Sequence, residues 1–86
     1  MPGTARRLTA GAFTAVVNEY FDALDLTSAE REVAWYIVKG FSQSEIARLR
    51  STADGTVRVQ STAIYCKAGV AGKSQLLSQI LEDLLY

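Results

Sequence analysis

The sequence predicts an all-α domain: a small helical bundle built on a helix-turn-helix, with an extra N-terminal helix and a C-terminal helix placed to pair chains. Apolar residues recur at helical spacing in each long segment, and there is 1 proline in 86 residues. Two capping boxes, Thr27-Ser28-Ala29-Glu30 and Ser42-Gln43-Ser44-Glu45, stand in succession. In this pattern the first hydroxyl accepts from the third residue's amide and the glutamate reaches back, so each box opens a helix.

Residues 1 to about 8, with Arg6 and Arg7, read as a solvated arm. From Ala10 to Asp25, Phe13, Val16, Val17, Tyr20, Phe21 and Leu24 follow the i, i+3, i+4 pattern, while Asn18, Glu19 and Asp22 take the wet side. That stripe is read as core before partner surface, and residues 1–25 are set apart from a domain spanning 26–86. The first capping box opens a helix whose buried side is Val33, Ile37 and the Ala29, Ala34 and Val38 positions, with Trp35 or Tyr36 at its margin. Gly40 suits a left-handed helix end because it has no Cβ to clash. A short helix, Gln43 to about Arg50, points Ile46 and Leu49 inward. In the next, opened by Gly55, Val57, Ile64 and Ala68 share one side and Arg58, Val59 and Thr62 are free for a partner. After Gly69 and Gly72, positions 76, 77, 80, 81, 84 and 85 form a stripe wider than one small core needs. Leu77, Ile80, Leu81 and Leu84 are therefore assigned to homodimerisation.

This length holds one domain with a small core and excludes a second, catalytic one. No apolar run approaches the roughly 20 residues that span a bilayer, so no membrane association is expected. The N-terminus lacks the continuous apolar stretch of a secretory signal, and the expected location is the cytoplasm. Cys66 has no partner thiol, and the chain contains 0 histidines, so neither a metal site nor a cofactor is expected. No base and nucleophile can be named together, and enzymatic activity is not expected. Net charge is zero, but it is unevenly spread. Up to Ile46 acids outnumber bases, whereas from Ala47 to Ser74 Arg48, Arg50, Arg58, Lys67 and Lys73 face only Asp54. The base-rich part coincides with the helix-turn-helix, as an electrostatic footprint for nucleic acid requires.

Leu26-Thr27-x-x-Glu30-x-Glu32-Val33, Gly40-x-Ser42-x-x-Glu45-Ile46-Ala47, Thr56-Val57-Arg58-Val59 and Ile64-x-x-Lys67-x-Gly69-Val70, in this order, resemble the LuxR-type helix-turn-helix, the DNA-binding output domain of quorum-sensing receptors and many response regulators. The resemblance covers about the last 60 residues. It implies a four-helix domain whose third helix enters the major groove of double-stranded DNA, whose fourth pairs dimers, and whose output is transcriptional control. By position it places Arg58, Val59 and Thr62 at bases and Ser42, Gln43, Thr56 and Lys73 at the backbone. The chemistry agrees: Arg58 can donate two parallel bonds to guanine O6 and N7, while Val59 and the Thr62 methyl suit a thymine methyl. Where the family commonly has leucine, glycine, an aliphatic residue and a serine cap, this chain has Arg50, Ser51, Thr52 and Ala53. Leu49 is then expected to serve the core one position early, and Thr52 or Asp54 to cap the third helix.

Three other readings fit parts of the sequence. Gly72-Lys73-Ser74 ends like a phosphate-binding loop, but Lys67 stands where its first glycine belongs and no strand precedes it. Region 4 of a sigma factor also fits Glu30-Arg31-Glu32-Val33 and Gly55-Thr56-Val57-Arg58; Gly69-Val70 followed by Lys73-Ser74-Gln75-Leu76 favours the LuxR type. Zero net charge and an apolar last helix fit a helix-turn-helix used as a protein-interaction module, a co-regulator or inhibitor of another transcription regulator.

Overall fold

A computed structural model of the chain describes residues 10–85. The arm with Arg6 and Arg7, and Tyr86, lie outside the described residues. The elements are α1 (Ala10–Leu24), α2 (Ser28–Val38), α3 (Gln43–Leu49), α4 (Asp54–Ala68) and α5 (Lys73–Leu85), with no strand among the described residues. Both capping boxes close. Thr27 Oγ1 accepts from the Glu30 amide at 3.1 Å and Glu30 Oε1 from the Thr27 amide at 3.0 Å. Ser42 and Glu45 repeat the exchange at 3.2 and 2.8 Å. At the other ends, the Gly40 and Phe41 amides donate to the Ile37 and Tyr36 carbonyls, and the Gly69 and Val70 amides to those of Cys66 and Tyr65. These paired bonds need a left-handed residue, met by Gly40 at φ +96° and Gly69 at φ +70°. α1 stops one residue earlier than expected, because Asp25 turns the chain at φ +56°.

The core is one cluster: Val17 and Phe21 of α1, Val33, Ala34 and Ile37 of α2, Ile46 and Ala47 of α3, Val57 and Ile64 of α4, and Leu76 and Ile80 of α5. α4 is its axis, packed on α2 and α3 and touching α1 and α5, while α1 lies along α5. Val17 and Phe21 are fully buried, so the aromatic stripe of α1 serves the core. Phe21 meets Trp35 edge-on at 5.6 Å, and the Tyr20 hydroxyl donates to Gln79 Oε1 at 2.6 Å. Arg31 ties α2 to α1 by donating to Asp22 Oδ1 at 2.8 Å and Asn18 Oδ1 at 3.0 Å. Trp35 and Tyr36 are both half-buried at the margin. No helix of the described residues is long and apolar enough to cross a membrane.

Three expectations are corrected. Leu49 is 53% exposed; α3 is too short to bury it, and Arg50, one turn beyond Ile46, lies on the inner side and donates to Glu32 Oε1 at 2.6 Å. Neither Thr52 nor Asp54 caps α4: Ala53 holds the cap position without a side-chain bond, and Asp54 is already helical. Ile80 belongs to the core at 2% exposure and is not free to pair chains. The exposed flank of α5 carries Leu81 and Leu85, with Leu77 and Leu84 half-buried.

Candidate nucleic-acid interface

The site is built on the turn between α3 and α4. α3 closes by the same paired bonds as α2 and α4: the Ser51 amide donates to Arg48 O at 3.2 Å and the Thr52 amide to Ala47 O at 2.9 Å. Ser51 takes the left-handed position at φ +55°, a conformation that costs a residue with a Cβ about 1–2 kcal/mol. The turn thus keeps its geometry with serine where glycine is the easier choice. It sets α4 with Val57, Ser61 and Ile64 buried against the core. Thr56, Arg58, Val59 and Thr62 are exposed on the outer side, Val59 by 70%.

A shallow pocket of about 210 Å³ gathers most of the expected contacts. Its rim holds Ser42 and Gln43 from the start of α3, Arg58 and Thr62 from α4 and Lys73 from the start of α5, over a floor of Ile37, Phe41 and Ile46. Ser61 and Tyr65 complete the lining. Five residues that the sequence assigned to DNA therefore meet from three helices. Thr56 and Val59 lie on the same helix outside the pocket.

The charge is leaner than the sequence suggests. Arg50 is drawn to Glu32, and Lys67 to Glu30 Oε1 at 2.7 Å and to the Asp25 carbonyl at 3.1 Å. Both cations are spent tying α3 and α4 to α2. Arg48, Arg58 and Lys73 form no ion pair among the described residues. Beside them the Glu45 carboxyl is held below its ordinary value, first by the Ser42 amide, then by the Ser42 hydroxyl, with lesser help from Arg48 and Lys73. An unforeseen clip joins the two helix starts: Ser44 Oγ donates to Asp54 Oδ2 at 2.8 Å, and Gln43 Nε2 to the Asp54 carbonyl at 3.4 Å. Its one signal in the sequence is that Asp54 is the single acid in the base-rich stretch.

Between α1 and α5 lies a larger groove of about 660 Å³, lined by Val16, Glu19, Tyr20, Gln79, Glu82 and Asp83. Burial, and then the Asp83 charge, raise the Tyr20 hydroxyl above its ordinary pKa. The groove holds none of the expected DNA contacts. Among the described residues, no group of three or more Cys, Asp or Glu side chains is placed to hold a metal ion.

Over 73 residues, 85% of this chain, the sequence is 37% identical to the probable HTH-type transcriptional regulator GfsR of Streptomyces halstedii. The chain spans about 30% of that relative's length. No family model matches the chain, and no solved structure matches it.

Proposed function

We propose that the chain is a sequence-specific DNA-binding transcription regulator of the LuxR type, with a binding and not a catalytic role. The observation that carries this reading is the meeting of Ser42, Gln43, Arg58, Thr62 and Lys73 around one pocket beside an exposed helix face. In this arrangement α4 lies in the major groove with Arg58, Val59 and Thr62 toward base edges. Ser42, Gln43, Thr56 and Lys73 hold phosphates and fix the register without reading sequence. The similarity to the Streptomyces relative, a probable HTH-type transcriptional regulator, supports the same direction.

Two copies pair along α5, where Leu77, Leu81 and Leu85 stand at i, i+4 and i+8 on one flank. Pairing presents two α4 helices to half-sites one turn of DNA apart, about 34 Å. The test is fluorescence anisotropy with genomic fragments and a random duplex at two salt concentrations. Binding that falls steeply with salt and prefers some fragments is expected.

A second reading, an interaction module that engages another regulator, is favoured by one observation: Arg50 and Lys67 are held in ion pairs, leaving Arg48, Arg58 and Lys73 around the site in a chain of zero net charge. A folded, dimeric chain that binds no duplex at low salt would establish that reading over the first.

A further inference from the structure

Asp54 opens α4 on the stripe that carries Arg58 and Thr62, at i, i+4 and i+8. It is exposed, yet held in place. Ser44 donates to Oδ2 at 2.8 Å and Gln43, itself on the pocket rim, to the backbone carbonyl at 3.4 Å. Oδ1 has no partner among the described residues. The Arg58 guanidinium turns back toward the same first turn, 3.8 Å from where a side-chain carbon would stand on Gly55, without forming an ion pair with Asp54. Both groups therefore keep capacity for a third party.

A carboxylate can only accept. On a surface facing DNA it is repelled by phosphates and by the acceptors guanine O6 and N7, and attracted by amino groups. Cytosine N4 suits it best, because adenine sets the N7 acceptor beside its N6 donor. Four residues of helix, a rise of about 6 Å, separate Asp54 from Arg58 along α4, a span of one to two base-pair steps of about 3.4 Å. We infer that Asp54 is a specificity-determining residue, selecting cytosine one or two base pairs from the base read by Arg58 and disfavouring other DNA. The inference rests on the DNA-binding reading above.

The test takes the duplex preferred by the wild-type chain and replaces each position with the other three bases. Affinities are measured for wild type, Asp54→Ala, Asp54→Asn and Arg58→Ala at fixed salt. The wild-type chain should lose roughly tenfold on replacing the Asp54 cytosine, the usual scale of a mismatch. Asp54→Ala should flatten that position alone and bind the random duplex more tightly. Asp54→Asn should turn the preference toward adenine, which an amide can meet with a donor and an acceptor. Should Asp54→Ala fail to fold, Asp54→Asn, whose amide oxygen keeps the Ser44 bond, decides the matter. Preferences unchanged by both substitutions, while Arg58→Ala still flattens its own position, would overturn the role of Asp54 and leave the DNA reading standing. A wild-type chain that binds no duplex would instead overturn that reading.

Discussion

Ala53 offers the sharpest test of how α4 begins. Its φ and ψ, −79° and 151°, nearly match those of Thr27, −68° and 165°, and of Ser42, −75° and 164°. Those two residues cap their helices with a hydroxyl; Ala53 has none to give. Ala53→Ser puts an oxygen within reach of the Thr56 amide on an exposed residue, where no packing is disturbed. A cap is worth about 0.5–2 kcal/mol. The Thr56 amide already donates to the Ala53 carbonyl at 3.0 Å, so the new bond is shared and the lower range applies, about 0.5–1 kcal/mol. For a chain of this size that raises the unfolding midpoint by about 2–8 °C. The assay is thermal unfolding by circular dichroism at one protein concentration, because any dimerisation makes the midpoint depend on it. Ser42→Ala is the control and should lose about 1 kcal/mol. A midpoint unmoved by Ala53→Ser, beside a clear loss in Ser42→Ala, refutes the reasoning that α4 starts uncapped.

Glu30 titrates below its ordinary 4.5, first because Lys67 donates to its carboxylate and then because the Thr27 amide does. A carboxyl depressed by folding adds stability that is complete above its unfolded value and is lost as pH falls through its folded value. Lys67→Met should raise the Glu30 midpoint in an NMR titration and shrink the loss of stability below pH 4.5; an unmoved midpoint refutes the link. Leu81→Arg should give a folded monomer in sedimentation, because Leu81 is 52% exposed, and an unfolded product would place Leu81 in the core. Ile80→Ala should cost about 2–5 kcal/mol in denaturant unfolding, as a buried truncation does, and a loss under half of that would take Ile80 out of the core. Arg58→Ala should erase discrimination at one base pair, while Lys73→Ala weakens all duplexes alike and lowers the salt slope by about one. Equal loss on every duplex from Arg58→Ala would remove it from base reading.

Local chemistry was legible in the sequence. Thr27 and Ser42 announced their helix starts because a capping box is complete within four residues, and Gly40 and Gly69 announced the ends. Val57 and Ile64 showed the inner side of α4 by spacing alone, and that spacing left Arg58 and Thr62 outside. What escaped depends on contacts distant in the chain. A count of charges gave Lys67 and Arg50 to the DNA side, yet Glu30 and Glu32, on another helix, claim them. Leu49 looked like core by hydropathy, but a helix of seven residues has one short inner strip, already filled by Ile46 and Ala47. On α5, six apolar positions left the rotation open. The placement of α1 along α5 sends Ile80 inward and leaves Leu81 out.

α5 is charged against its own grain. Lys73 begins it and Glu82 and Asp83 sit in its closing turns, with no acid in the first turn and no base in the last. A helix carries about half a positive charge at its start and half a negative charge at its end, so a misplaced ion there typically costs about 0.3–1 kcal/mol. The same reversal sums like with like: the lysine reinforces the free amides beside the small pocket, and the carboxylates reinforce the terminal carbonyls beside the large groove. Ten residues of helix hold these ends about 15 Å apart, nearly twice the screening length of about 8 Å at physiological salt. An approaching polyanion therefore meets the field of one end of α5 and not the zero of the whole chain.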